Sequence, residues 1–208
     1  LDPPIAYEGG ICSASQLRKI IGKDVKQASS FMPPPAFNLL SEAIARGRAP
    51  IFLYQLEQAI LSRLRMFSSA DIKNINGVSE GLENRIVYAI RNSASLEDLI
   101  ACASSKRYTS ARIRRILLSS CLGITRRLIS SDPPYIRVLA SNQKGFEILK
   151  TAKPKTTLPV VTRAGLLSSL GQTAAAFSLI EGAAADLYSL AFNPPGKCGL
   201  EFTETNFL

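Results

Sequence analysis

Residues 106–123 read KRYTSARIRRILLSSCLG and predict the helix on which the fold depends. Thr109 is a suitable N-cap, because its hydroxyl can accept a hydrogen bond from the first helical turn. Gly123 stands where a helix ends, since glycine readily adopts the left-handed conformation of a C-cap. The apolar stripe of this helix consists of Ile113, Ile116, Leu117 and Ile124. The opposite face is polar and carries arginines.

A series of short helices is predicted before this segment. Prolines precede residues 36–45, and leucines and isoleucines recur at helical spacing between residues 53 and 64. Ser68 with Asp71, and Ser95 with Asp98, have the spacing of a capping box. Residues 36–123 are therefore expected to form four or five short helices.

Two short strands are predicted after this segment. Residues 135–140 alternate as in a strand, a helix is expected around residues 146–150, and residues 158–162 form a second strand candidate. Residues 173–192 predict a long apolar helix, and the segment from Asn193 onward is expected to be irregular or a short edge strand. The predicted fold class is mainly α-helical (α+β): a helical domain, then a small βαβ-like unit and a long C-terminal helix.

Positive charge is concentrated in one part of the chain. The 208 residues carry a net charge of +9, and residues 99–180 contain 13 basic and two acidic residues, a net charge of +11. The remaining residues include 12 basic and 14 acidic residues and carry a net charge of −2. This asymmetry indicates a surface that binds a polyanion, although a solvated helix face is the simpler alternative.

The basic surface is predicted at the start of the central helix. Arginine and lysine neutralise phosphates, a helix N-terminus adds backbone donors, and a tyrosine offers a stacking platform for a base. The alternative is that the arginines only solvate the helix and that Tyr108 packs as a half-buried core residue. The candidate RNA-binding residues are Lys106, Arg107, Tyr108, Thr109, Arg112, Arg114 and Arg115, extended by Arg126, Arg127 and Arg137.

Two further segments have polar side chains at helix starts. Ser13, Ser15 and Arg18 suit phosphate binding at a helix N-terminus, but a plain N-cap has the same pattern. In residues 78–86, VSEGLENRI, Ser79 is expected to cap a helix with Glu80 in its first turn. A catalytic carboxylate at Glu80 or Glu83 is a weaker alternative, because nothing in the sequence suggests how its pKa would be raised.

Several classes of site are excluded or disfavoured by composition. The chain has no histidine, so mechanisms that need imidazole do not apply. The four cysteines form no CxxC pair, so no metal site is predicted. A signal peptide and a membrane span are not expected, and a reduced, cytoplasmic chain is the interpretation of the cysteine pattern.

Five segments, in order, resemble the bacterial tRNA(Met) cytidine acetate ligases. They are CSASQLR at residues 12–18, VSEGLENRI at 78–86, KRYT with RIRRIL between 106 and 117, YIRVL at 135–139 and LPVVT at 158–162. The resemblance covers most of the chain up to about residue 162 and fades after it.

The resemblance implies an enzyme that activates acetate with ATP and forms N4-acetylcytidine at the wobble position of elongator methionine tRNA. It implies that residues 1–35 are the tail of a nucleotidyltransferase-like domain, in which Ser13, Ser15 and Arg18 contribute to the ATP site. Residues 36–208 are then a mainly helical tRNA-binding C-terminal domain. The family's N-terminal signature contains a histidine pair, and this chain has no histidine. The chain is therefore interpreted as the C-terminal portion, with no catalytic residue and no activity alone.

Two other functions stay open at the level of sequence. One is a non-catalytic basic helical scaffold that binds RNA or an acidic protein. The other is a complete enzyme that uses Glu80 or Glu83. Specificity for methionine tRNA would distinguish the ligase portion from the scaffold, whereas salt dependence alone would not.

Overall fold

The computed structural model of the chain describes residues 10, 12–79 and 81–203. They form two compact units: one comprises the described residues up to Phe52 with residues 191–196, and the other comprises residues 53–190 with those from Lys197 onward. The first unit contains α1 (Ala14–Lys23), α2 (Pro34–Ala45) and a 3-10 segment at Lys26–Phe31. The helices of the second unit are α3 (Glu57–Arg65), α4 (Ser69–Lys73), α5 (Leu82–Asn92), α6 (Leu96–Ala103), α7 (Ser110–Leu122), α8 (Arg126–Ile129), α9 (Gln143–Ala152), α10 (Gln172–Ser189) and α11 (Leu200–Thr203). Its strands are β1 (Ile136–Arg137) and β2 (Val160–Val161), and its 3-10 segments are Leu53–Leu56, Lys153–Lys155 and Ala164–Leu170.

The helices of the first unit begin at the residues that the sequence favours. Ser13 Oγ accepts from Gln16 N at 3.3 Å, and Gln16 Oε1 accepts from Ser13 N at 3.0 Å, so α1 opens with a complete capping box. α2 begins at Pro34, two residues before the predicted start, because the first helical turn tolerates proline. Residues 191–196 also belong to this unit, and there Asn193 N donates a hydrogen bond to Gly47 O at 2.8 Å.

A helical core organises the second unit. α7 packs against α3 and α6, while α5 packs against α4 and α6. The predicted caps are present: Ser68 Oγ accepts from Asp71 N, and Ser95 Oγ accepts from Asp98 N at 3.1 Å. Among the described residues of 36–123 there are six α-helices, more than the predicted four or five, because the short turn α4 forms a helix of its own. The Leu53–Leu64 stretch divides into a 3-10 turn and α3. The largest fully buried side chains here include Ile60, Leu64, Ile72, Leu82, Ile86, Leu99, Ile113, Ile116 and Leu117.

The predicted βαβ-like unit is present in shortened form. β1 and β2 pair in parallel, with Ile136 beside Val160, and α9 lies between them in the chain. The ladder is short because Pro159, immediately before β2, has no N–H to donate; its carbonyl accepts from Ile136 N at 2.8 Å. Val161, Ala164 and Leu167 form a small buried cluster beside the pair. The mainly α-helical (α+β) class is confirmed.

The segment from Asn193 onward is irregular up to residue 199, as predicted, but its last described residues are not. They form the helical turn α11, which packs on α10. Gly199 N donates to Asp186 Oδ1 at 2.6 Å, which fixes the start of the turn. Gly182 leaves space for the Phe202 ring, because a Cβ there would lie 2.8 Å from that ring. Sequence periodicity does not reveal this close packing, because it depends on two residues far apart in the chain.

Candidate nucleic-acid interface

α7 has the orientation that its sequence predicts. Thr109 is the N-cap, and its Oγ1 accepts a hydrogen bond from Arg112 N at 3.4 Å. Gly123 is the C-cap in the left-handed conformation. Ile113, Ile116 and Leu117 of the apolar stripe are buried, whereas Ile124 lies beyond the C-cap and is half-buried. Arg114 and Arg115 are therefore held on the exposed side. The helix therefore presents basic side chains to solvent from a rigid support.

A group of exposed basic side chains has no hydrogen-bond or ion-pair partner in the part of the chain that the structure describes. None of its members forms a hydrogen bond or an ion pair with a described residue. The Arg107 guanidinium lies over the Tyr108 ring at 5.4 Å from its centre. We call this group the free basic set; it consists of Lys106, Arg107, Arg114, Arg115 and Arg127.

Arg112 and Arg126, by contrast, bind the loop that precedes α5. Arg112 Nη2 donates to Gly77 O at 2.9 Å and to Ser79 Oγ at 3.4 Å. Arg126 Nη2 donates to Val78 O, the next carbonyl of the same loop. Both guanidinium groups thus hold the 77–79 loop against α7 and α8, and only part of their hydrogen-bonding capacity remains for a ligand.

Tyr108 is buried, with 8% of its surface exposed. Arg107 and Arg112 both lie over its ring, the latter at 5.1 Å from the centre, and its hydroxyl accepts from Ser79 Oγ at 3.3 Å. The burial favours the half-core interpretation over stacking on a base. Tyr108 positions the two arginines.

Arg137 does not extend the basic surface. Its Nη1 donates to Glu181 Oε2 at 2.7 Å and also forms an ion pair with Glu201. Burial acts to lower the pKa of the guanidinium, but the hydrogen bond and charge of Glu201, and then those of Glu181, outweigh it and raise that pKa. Two carboxylates that are distant in sequence thus pair with Arg137 and disfavour its predicted role in RNA binding, which stays a prediction.

Tyr135 belongs to the same polar cluster. Its hydroxyl donates to Glu181 Oε1 at 3.1 Å. Burial, followed by the negative charge of Glu181, raises the pKa of Tyr135 to about 12. We call Tyr135, Arg137, Glu181 and Glu201 the Arg137 cluster, which joins β1, α10 and α11.

Ser13, Ser15 and Arg18 lie in the first unit, on the opening turns of α1, and all three are exposed. The Ser13 hydroxyl serves as the N-cap. Ser15 and Arg18, three residues apart, share one helix face and form no hydrogen bond or ion pair with a described residue. The plain N-cap alternative therefore accounts for Ser13 but leaves the other two side chains unexplained.

The 78–86 segment differs from its prediction. α5 begins at Leu82 after Gly81, so Ser79 does not cap it and instead binds Tyr108 and Arg112. The candidate Glu80 lies outside the described residues. Glu83 is buried in the first turn of α5, where the helix dipole favours a carboxylate, and its Oε2 has no hydrogen-bond partner among the described residues.

Sequence reasoning missed the role of Arg85. Its Nε donates to Ala103 O and its Nη2 to Ser104 O, both at 2.8 Å, so it caps the C-terminus of α6. This interaction fixes the segment that leads to Lys106. A single arginine within a helix gives no signal of such an interaction.

The described residues also bear on metal sites, on the cysteine thiols and on membrane-spanning helices. Within residues 10, 12–79 and 81–203, no group of three or more cysteines, aspartates and glutamates is placed to hold a metal ion. The four cysteines are free thiols, and burial raises the pKa of Cys121 in spite of the nearby Arg63. None of the described helices combines the length and the apolarity that crossing a bilayer needs.

Comparisons with known proteins agree with the resemblance found in the sequence. The chain is 37% identical over 201 residues to the tRNA(Met) cytidine acetate ligase of Caldanaerobacter subterraneus subsp. tengcongensis, a match that covers 95% of this chain and 49% of that protein. The tRNA(Met) cytidine acetate ligase of Acetivibrio thermocellus is 32% identical, with 94% and 50% covered. The chain thus spans about half the length of the curated relatives it matches.

Solved structures agree as well. The crystal structure of Thermotoga maritima TmcAL in its apo form I superposes with a TM-score of 0.86 at 28% identity, covering 97% of this chain and 52% of that one. The same protein bound with alpha-thio ATP, in form II, gives 0.84 over 95% and 52%.

The sequence profile of the HIGH nucleotidyl transferase family matches residues 4–198. The match runs well beyond the predicted tail at residues 1–35, so it does not distinguish that segment from the rest. The C-terminal position of the chain within its relatives and the boundary at residue 35 stay predictions. Because the profile covers nearly the whole sequence, the chain belongs to the HIGH nucleotidyl transferase family.

Proposed function

We propose that this chain is the tRNA-binding portion of a tRNA(Met) cytidine acetate ligase. The complete enzyme would use ATP and acetate to form N4-acetylcytidine at the wobble position of elongator methionine tRNA. Relatives that carry this name support the proposal, since two of them match more than nine-tenths of the chain. The chain alone is expected to be catalytically inactive.

The observation that carries the RNA-binding proposal is the free basic set. Its five exposed cations form no hydrogen bond or ion pair with a described residue, and four of them lie between the loop before α7 and the middle of that helix. Such clustering of cations in one segment is the pattern expected of a surface that binds a polyanion. Phosphates supply the missing anions, and such interactions fix the position and register of a nucleic acid.

We also propose that α1 contributes to an ATP site in the complete enzyme. Ser15 and Arg18 share an exposed face near the helix N-terminus, where backbone donors and the helix dipole favour phosphate. The alpha-thio ATP bound to Thermotoga maritima TmcAL supports this proposal. Measuring the ATP affinity of the complete enzyme with Arg18→Ala tests it, and unchanged affinity would contradict it.

The main experiment measures the affinity for a methionine tRNA transcript at several salt concentrations. Replacing Arg107 and Arg115 with alanine should lower the affinity and reduce the salt slope by about one for each phosphate that the removed arginines bind. The matched control replaces Lys153 and Lys155, two exposed lysines outside the free basic set, with alanine. Equal reductions in affinity from both pairs would show that only net charge matters.

Specificity separates the ligase portion from a general basic scaffold. Methionine tRNA should bind more tightly than a noncognate tRNA of the same length, because phosphate interactions alone give equal affinities. ATP-dependent acetylation of the tRNA by the purified chain would contradict the expected inactivity.

A further inference from the structure

A cleft of about 550 Å³ lies beside the free basic set, between the C-terminal half of α7 and residues 76–77. Its volume falls within the range of about 300–1,000 Å³ typical of small-ligand sites. Ile116 and Leu122 give it an apolar lining, and Arg112 and Arg115 line it as well. An apolar floor beside a cation suits a ligand that has both a flat apolar part and a negative charge.

Three polar groups that line the cleft are unused. Arg115, the Asn76 amide and the Ser119 hydroxyl form no side-chain hydrogen bond within the described residues. The amide offers an adjacent donor and acceptor, which matches the edge of a nucleobase. The guanidinium matches a phosphate. Together these groups can bind the two polar ends of one nucleotide.

The walls of the cleft are joined by backbone hydrogen bonds. Asn76 N donates to Ile124 O at 3.0 Å, and Ile124 N donates to Ser119 O at 2.8 Å. Gly77, at a φ of +88°, packs closely against Ile116, because a Cβ there would lie 3.2 Å from Ile116 Cγ1. The cleft is therefore preformed, and a ligand would bind without first ordering the loop.

We infer that this cleft binds one unstacked nucleotide from a single-stranded part of the RNA, with its base on the apolar lining and its phosphate on Arg115. The inference rests on the proposed function and deepens it. Single-stranded RNA can splay out a base and present its edges, whereas the bases of a paired helix are stacked and enclosed. The cleft thus distinguishes looped RNA from duplex RNA, while the rest of the free basic set binds phosphates of either.

The test compares a methionine tRNA transcript with a fully paired RNA duplex of similar length. Ser119→Phe fills the cleft and should weaken binding of the transcript about tenfold, equivalent to the loss of about 1.4 kcal/mol. Binding of the duplex should not change. The matched control is Thr151→Phe, which places the same side chain in a separate cleft of about 400 Å³ beside α9 and should affect neither RNA.

A second variant keeps the inference testable if Ser119→Phe fails to fold. Asn76→Ala removes a half-exposed amide that has no described partner, and it should weaken transcript binding about threefold to tenfold while leaving the thermal melting temperature unchanged.

Four outcomes would overturn the inference. The first is an unchanged transcript affinity in both cleft variants, and the second is that Ser119→Phe weakens binding of the transcript and of the duplex equally. The third is that Thr151→Phe weakens transcript binding as much as Ser119→Phe does. The fourth is that the chain binds polyglutamate and Ser119→Phe abolishes this binding, which would indicate an acidic protein partner. If the unmodified chain binds neither RNA, the proposed function itself fails, and this result is distinct from the four others.

Discussion

The start of α7 and the Arg137 cluster contain the same kind of residue in opposite states. In and around α7, the exposed arginines of the free basic set form no ion pair with a described carboxylate, whereas Arg137 is held by Glu181 and Glu201. Sequence analysis assigned both regions to one basic surface. The difference shows that the availability of a cation depends on which acids the fold brings to it, and these acids come from α10 and α11, far along the chain.

A second difference separates the arginines in and around α7 from one another. Arg112 and Arg126 hold the 77–79 loop, while Arg115 and Arg127 face solvent. Neighbouring arginines thus divide into those that stabilise the chain and those available to a ligand.

The largest expected effect is that of Tyr108→Ala, because the ring supports Arg107 and Arg112 from a buried position. Loss of the ring should lower the free energy of unfolding by about 3 kcal/mol, as for other large-to-small changes of buried aromatic residues. Urea denaturation measures the change. Tyr108→Phe keeps the packing and should retain the RNA affinity; a large drop in the affinity of this folded variant would show that the hydroxyl touches the ligand.

Arg137→Ala should lower the free energy of unfolding by about 2 kcal/mol, because Glu181 and Glu201 would then face each other without a cation. The loss is smaller than for a fully buried pair, since the carboxylates are partly exposed. The tRNA affinity of the folded fraction should stay the same. A variant that folds normally but binds tRNA more weakly would place Arg137 in the interface after all.

The adjacent residues Arg126 and Arg127 form a matched pair. Arg126→Ala should cost about 1 kcal/mol of stability by removing the hydrogen bond to Val78 O. Arg127→Ala should change stability by less than about 0.5 kcal/mol and reduce the salt slope of tRNA binding by about one. Denaturation and filter binding of both variants would reveal a reversed order, which would contradict the division.

The smallest effect concerns pH. Because the pKa of Tyr135 is raised from its ordinary 10 to about 12, the folded state retains a proton that the unfolded state loses in this interval. The contribution of Tyr135 to stability is therefore complete below pH 10 and falls as the pH rises toward 12. Tyr135→Phe should show a shallower decline of stability in this range by denaturation at each pH, and an unchanged slope would contradict the raised pKa of Tyr135.

Local patterns predicted much of the helical structure. Thr109, Ser68 and Ser95 cap the expected helices, because an N-cap depends only on residues within one turn. The parallel pairing of β1 and β2 also follows from the two strand signals and the helix between them. The turn at α11 was not predicted, since it depends on Gly182 and Asp186 in another helix.

The candidate site was only partly predictable, because much of it is formed by residues that are distant in sequence. The free basic set could be identified from charge density, but the ties of Arg112 and Arg126 to the 77–79 loop join segments that are distant in sequence. The burial of Tyr108 follows from this loop and from Arg112. The cleft lined by Asn76 and Ser119 has no linear signature, because each wall contributes only one or two of its polar groups.

The Arg137 cluster has a consequence for the order in which the chain acquires its structure on the ribosome. Arg137 is synthesised before Glu181, and Glu181 before Glu201, so the growing chain exposes the cation well before both counter-charges exist. We expect β1 to be consolidated only after Glu201 has left the exit tunnel. Nascent chains held on the ribosome by a C-terminal linker that spans the exit tunnel should therefore be cleaved by protease near β1 while residue 201 is still inside the tunnel. They should resist cleavage once the linker is long enough for residue 201 to have emerged.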